Sequence, residues 1–547
     1  MPVFQRLMGL ETEYALRIPE SLRESESGIH SHRDGYDLIV RSLAEQLPTA
    51  EADPLKGAKE GIFLGTGGAV WFESLFPAAG YGLIEGATPE CRFPRDLLAC
   101  QRAQDRLLGE AAQKHGMSLV KNCRDAHGNV YGSQESYEVT LAAGAALWFW
   151  RMAFLFILVP FTILLQFGAI VTVALFIATL PVTGVIYRLV RVGKTPLERK
   201  RLFDHWVGRV WRRGWNAVDA PLGGWCAAPL ILCLKLLIAP QAAVTWAMVQ
   251  MTALGRLQRQ LTPFLMSRIV FSGAGQLESG NRFQLSEKAG SIASLANIPE
   301  LSRPVFSLSQ FMKPCVVVVR IGELWNPMQR IQISLSDSNL CEEAEYLRIG
   351  TTLLVLDAIE SGAITEVPYL ARSVKALKAF NNDPTLTARV RLRDGRSMTA
   401  LEIQHWYYSA CRRYVDGLAE IPKEVDDLLA RWRDVLQRLA TDRDSLIGRV
   451  DWITKQYLLE EAANDVSTAA KKKIDIKYHE LSPGGYFRRL EESGVHCRVL
   501  SDEEVVRAMR LPPGGTPATT RARLIREFSG PGLRVGWKSL SNGMRIE

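Results

Sequence analysis

The nine cysteines, an odd number, include no Cys-x-x-Cys pair, which leaves neither a disulfide framework nor a zinc site to propose and suits a reducing compartment. The opening MPVFQRLMGLETEYA lacks the apolar run of a secretory signal, so this end of the chain is expected to stay in the cytoplasm. No tandem repeat is present. Most of the chain also lacks a basic excess. Thirteen basic and three acidic residues fall between positions 151 and 259, which outweighs the whole net charge of +8 and leaves the remainder slightly acidic. A positive excess confined to an apolar region argues for an anionic membrane face and against nucleic acid as a partner.

Residues 152–187, MAFLFILVPFTILLQFGAIVTVALFIATLPVTGVIY, contain no charged side chain. As one helix this stretch would be about 54 Å long, against a hydrocarbon core of roughly 30 Å. Pro160 and Gln166-Phe167-Gly168 permit a break and a hairpin that enters and leaves on one side. A hairpin also keeps the basic segment that follows, from 188 to 213, on the cytoplasmic side, in line with the positive-inside tendency. Residues 196–218 form an amphipathic pattern suited to the membrane interface. The apolar stretch 220–255, interrupted by Pro221, Pro229, Lys235 and Pro240, could be a second inserted pair. The expected location is the inner (cytoplasmic) membrane, with lipid as one partner.

The rest of the chain alternates strands and helices. Residues 3–17 alternate through GLETEYALRI with the period of a half-buried strand, which turns Glu11 and Glu13 to one face. Two carboxylates so spaced can offer oxygens to a hard cation such as Mg²⁺, or can simply be a solvated face. GIFLGTGGAVWFES ends in Glu73, IEGATPEC carries Glu85 and Glu90, and the glycine-punctuated hairpin KNCRDAHGNVYGSQESYEVTL carries Glu135 and Glu138. Several strands thus bring carboxylates to one sheet, and an antiparallel sheet can leave one face open.

In order along the chain, GLETEYA, KNCRDAHGNVYGSQESY, LTPFLMSRIVFSGAG, FQLSEK, SDSNLCEEAEYLRIGTTLLVLDAIESG, DWITK, IDIKYHEL and TTRAR resemble motifs of the Pup-protein ligase (proteasome accessory factor A) family and its sister branch, the Pup deamidase-depupylases. The resemblance covers nearly all of the chain outside 143–259. It implies an α+β fold related to glutamine synthetase, with a curved antiparallel sheet, helices and a small C-terminal domain. The expected divisions are 1–142 and 260–470 as two halves of that domain, 143–259 as a membrane-associated helical insertion, and 471–547 as the C-terminal domain. On this division, excising 143–259 is expected to leave a folded soluble protein.

The resemblance further implies ATP and Mg²⁺ as cofactors, Pup or a Pup-like protein and its target proteins as partners, and either ligation to lysine through an acyl phosphate or hydrolysis. Carried over by position, Glu11 and Glu85 are implied metal ligands, joined by Glu13 and Glu135. Thr88 and Trp537 are implied nucleotide contacts, and Arg521 or Arg523 would neutralise phosphate. Glu73 stands where the family has its Asp base or nucleophile. Other positions depart from the pattern: Ala69 and Trp71 replace an Arg and a Tyr, Gln134 and Gln332 replace histidines, and FSLSQFMKPC replaces a segment rich in charged residues. These departures leave two expectations, a membrane-anchored carboxylate-amine ligase or amidohydrolase, and a pseudoenzyme acting as a tethered scaffold.

Overall fold

The computed structural model describes residues 3–24, 29–53, 58–76, 81–121, 131–190, 223–278, 282–296, 303–316, 318–461, 467–529 and 532–541. The amphipathic segment 196–218 and the middle of the 121–137 hairpin lie outside the described residues. One twelve-stranded sheet organises the chain. Across it run β8 (Ser294–Ala296), β9 (Pro304–Phe306), β10 (Met328–Ile333), β7 (Ser133–Thr140), β1 (Met8–Arg17), β5 (Tyr81–Ala87), β4 (Ala69–Phe76), β3 (Gly61–Leu64), β2 (Thr49–Ala52), β11 (Arg534–Gly536) and β12 (Ser539–Ser541). The short β6 (Ser118–Val120) pairs with the end of β1. All pairings are antiparallel except β8 with β9 and β2 with β11. The architecture is α+β, as expected. In the C-terminal segment, β11 and β12 extend the main sheet.

Strict alternation in β1 separates two faces. Met8, Leu10, Thr12, Tyr14 and Leu16 are buried, while Gly9, Glu11, Glu13 and Ala15 look to the other side. The buried face packs on helices Pro94–Gln113, Ala253–Ser267 and Glu342–Glu360. Pro94 starts the first of these, where its missing N–H costs nothing. Glu342–Glu360 is buried along nearly its whole length, so its charged residues must be paired. Arg348 donates to Glu345 at 2.9 Å, and Arg102 pairs with Glu345 at 2.7 Å.

The apolar insertion departs from the expectation. Residues 152–187 do not fold back on themselves. Helix Gly144–Ala153, a π-helical turn Phe154–Leu158 and helix Val159–Val190 follow one another without a gap. The wide turn lies immediately before Pro160, whose absent N–H cannot complete a regular helical bond. The returning leg is Gly223–Gln250, antiparallel to the first. Gln241 Nε2 donates to Thr162 Oγ1 at 2.9 Å, and Gly168 allows Leu237 an approach that a Cβ would block at 2.7 Å. The chain then bends by 84° into helix Ala253–Ser267, whose Leu254, Leu257 and Leu261 belong to the main core. The 143–259 boundary is therefore corrected at its far end: residues 253–259 are part of the globular core.

The base of the helix pair is rooted in the same core. Trp150 Nε1 donates to Leu324 O at 2.8 Å, and Phe154 packs edge-on to Trp325. Farther out, Phe156, Ile163, Leu164, Phe167 and Ile170 are largely exposed. Gly144–Thr172 is long and apolar enough to cross a bilayer.

Candidate active site

Register places the carboxylates. Glu13 lies opposite Glu85 on β5, and Glu85 lies opposite Trp71 on β4. Glu11 aligns with Ala87 and Ala69, and Glu73 sits two residues beyond Trp71. The same period of two brings Glu11, Glu13, Glu73 and Glu85 to the face of the sheet away from the helices. Into this group reaches Lys59, from the loop before β3. Its Nζ donates to Glu73 at 3.1 Å and also pairs with Glu85. Sequence reasoning had no signal for Lys59, which belongs to no motif and lies on no periodic element.

Exposure divides the cluster into roles. The Glu73 side chain is 45 % exposed and that of Glu85 only 2 %. Burial, with the hydrogen bond it shares with Glu73, pushes Glu85 well above the ordinary carboxylate range. Burial alone would also raise Glu73, but the hydrogen bond with Glu85 and the Lys59 ammonium hold it below that range. Glu11 is likewise held low against burial, chiefly by Arg330, which donates at 3.0 Å, and by Lys59 and Lys313. Gln332 adds a hydrogen bond to Glu11 at 3.3 Å. Burial lifts Glu13 to about 6, and its Oε2 accepts the Gly132 N–H at 2.6 Å. Glu73 is thus the accessible, ionised carboxylate.

The structure corrects two of the sequence assignments. Glu135 is not with the other carboxylates: it aligns with Leu10, while Gln134 aligns with Glu11, so Glu135 points into the helix-packed face. There it is fully buried against Arg268 and Arg348. Arg523 points to solvent, with its side chain 67 % exposed. Arg521, two residues earlier, is turned through about 200° on the same helix and is buried. Its guanidinium donates to Gly67 O and Trp537 O, pairs with Glu90, and stacks 4.7 Å from the Trp537 ring.

The two implied nucleotide contacts are also engaged with protein. Thr88 Oγ1 accepts the Leu10 N–H at 3.0 Å. Trp537 packs edge-on to Phe63 at 5.2 Å and to Trp71 at 6.3 Å, forming an aromatic wall beside the acidic face. Among the described residues, the cations that act on the cluster are Lys59, Lys313, Arg330 and, beside Glu13, Lys288. Lys313 belongs to the rebuilt FSLSQFMKPC segment, and burial together with repulsion from Lys59 lowers its proton affinity.

The carboxylates as arranged do not fit a preformed magnesium centre. Among the described residues, no three His, Cys, Asp or Glu side chains are gathered so as to hold a metal ion. Glu85 faces an ammonium, Glu11 a guanidinium, Glu135 lies on the other face, and Trp71 has no oxygen to offer. A nucleotide's phosphates, by contrast, would find positive charge at Lys313 and Arg330.

A large, mostly antiparallel sheet with helices on one face and a group of carboxylates and cations on the other places the chain in the α+β class. The particular family follows from comparison: the family model described as Pup-ligase protein matches residues 6–541, and the chain belongs to that family. A depupylase of Acidothermus cellulolyticus is 33 % identical over 297 residues, covering 52 % of this chain and 57 % of the relative. A Pup–protein ligase of Acidimicrobium ferrooxidans is 32 % identical over 288 residues, covering 51 % and 61 %. These matches span less than two thirds of the relatives' own length. The ligase PafA in complex with Pup, the prokaryotic ubiquitin-like protein, shares the fold with a TM-score of 0.62 at 20 % identity, covering 98 % of this chain and 86 % of that one. PafA in complex with ADP gives 0.57 at 19 %, covering 88 % and 84 %.

Proposed function

We propose that this chain is an ATP-dependent enzyme of the Pup-ligase kind. It acts on the C-terminal glutamate or glutamine of Pup or a Pup-like protein, either joining it to a lysine or hydrolysing its amide. The observation that carries this reading is Glu73, an ionised and accessible carboxylate on the open face, held by Lys59 and acted on by Lys313, with Arg330 paired to the neighbouring Glu11. Membership of the family supports the substrate class. ATP, when bound, supplies the phosphoryl group that activates a carboxylate. The chain's own part is to accept a proton at Glu73 from the attacking amine or water and to offer Lys313 and Arg330 to negative charge. Magnesium would arrive with the nucleotide.

The helix pair Val159–Val190 and Gly223–Gln250 is proposed to anchor this enzyme to the inner membrane with the sheet on the cytoplasmic side. The exposed apolar side chains of its first leg, among them Phe156, Ile163, Leu164, Phe167 and Ile170, support the anchor. The basic segment 188–213 joins the two legs at their ends away from the core and lends no support to the orientation.

Calorimetry with ATP and Mg²⁺ on detergent-solubilised protein, followed by incubation with glutamate-ended and glutamine-ended Pup and mass spectrometry, tests the activity. Failure to bind nucleotide would sink it. Carbonate extraction of membranes tests the anchor, which predicts that the protein stays in the pellet.

A further inference from the structure

We propose that Lys59 is a built-in cation: its ammonium bridges Glu73 and Glu85 where a divalent ion would otherwise sit between them, so that this pair recruits no metal of its own. The geometry is direct. Lys59 Nζ pairs with Glu85 and lies 3.1 Å from Glu73, joining a 2 % exposed carboxylate to a 45 % exposed one. An ammonium carries three N–H donors and can serve several carboxylate oxygens at once. Its charge also contributes to keeping Glu11 ionised, so all three carboxylates respond to one nitrogen.

The neighbouring groups are consistent with the same arrangement. Trp71, opposite Glu85, presents an indole where a metal site needs an oxygen. Glu11 is taken by Arg330 and Gln332, and Glu13 by the Gly132 N–H. Lys313 adds a second ammonium to the same field. With Lys59, Lys313, Arg330 and Lys288 already acting on the carboxylates, a divalent ion would meet repulsion on entry and would have to displace Lys59.

Lys59 is therefore a positioning residue, which fixes the direction and charge of Glu73 with a covalently tethered cation in place of an exchangeable one. The proposal stands on the cluster alone and does not depend on the activity proposed above, so the two can fail separately.

Mn²⁺ titration of the detergent-solubilised full chain, without nucleotide, followed by electron paramagnetic resonance, tests it. The wild type is expected to take up no ion at the cluster. Lys59→Met should acquire one Mn²⁺ site at least about tenfold tighter than anything in the wild type, and adding Glu85→Gln should remove that site. Equal Mn²⁺ binding by wild type and Lys59→Met, or no gain in Lys59→Met, overturns the proposal. Should Lys59→Met fail to fold, the wild-type melting temperature with and without Mg²⁺ decides: no shift is expected, and a Mg²⁺-dependent rise that Glu85→Gln abolishes overturns it. Lys59→Arg, which keeps the cation, should match the wild type in every arm.

Discussion

Arg268 grips Glu135 with two hydrogen bonds, Nη1 to Oε2 at 3.0 Å and Nη2 to Oε1 at 2.6 Å, across the junction of the sheet and its packed helices. Both side chains are essentially fully buried, and Arg348 approaches the same carboxylate at 3.4 Å. Removing the carboxylate leaves the buried Arg268 guanidinium without its counterion, beside Arg348, which retains Glu345. Glu135→Ala is therefore expected to lower stability by about 3–5 kcal/mol, read as a fall in the melting midpoint. A residue serving a site on the open face would instead alter ligand binding while leaving the melt unchanged.

Glu73 should behave in the opposite way. Its side chain is partly exposed, and its truncation opens no core cavity. Glu73→Ala is expected to melt within a degree or two of the wild type, yet to lose turnover of Pup by at least about a hundredfold. Unchanged turnover would remove Glu73 from its proposed role.

Acid sensitivity is expected to reside partly at Glu342, which closes the C-terminal segment onto the core helix. Its Oε2 accepts the N–H groups of Val499 and Leu500 at 2.6 and 2.9 Å. Burial opposes its ionisation, but His496, Arg102 and the Leu500 N–H outweigh burial and hold it at about 2, below its ordinary 4.5. A depressed carboxylate contributes stability that is present above pH 4.5 and is lost as the pH falls towards 2. The full contribution is about 3 kcal/mol. Glu342→Gln should lose stability at neutral pH and show a flatter decline below pH 4.5, measured as melting temperature against pH.

Arg521 and Arg523 offer a paired test on one helix. Arg521→Ala deprives Glu90, Gly67 O and Trp537 of their partner and is expected to cost about 2–4 kcal/mol. Arg523→Ala, at an exposed position, should stay within about 0.5 kcal/mol of wild type. Equal effects in thermal melts would contradict the burial difference between the two.

Excision of the helix pair depends on where the cut is made. Removing 143–259 deletes Trp150, Phe154, Leu254 and Leu257 from the core and should abolish cooperative melting. Removing 166–237, with a short linker across the Thr162–Gln241 contact, spares those residues. That variant is expected to melt cooperatively and to leave the membrane pellet.

The sequence by itself determined what depends on neighbours along the chain. Alternation in GLETEYALRI assigned Glu11 and Glu13 to one face of one strand, the charge-free run marked an apolar insertion, and ordered motifs on both sides of it marked a single interrupted fold. Only the tertiary structure decided what depends on pairing over distance. Glu135 and Gln134 differ by one residue, and the register between β7 and β1 alone set which of them joined Glu11. Arg521 and Arg523 differ by two, and helical rotation buried one and exposed the other. The return leg of the apolar pair came from residues 223–250, because the first run holds its helix through Pro160 and Gly168. Lys59 reached the carboxylates from a loop with no periodicity, where long-range strand pairing, and nothing local, sets the position of the side chain.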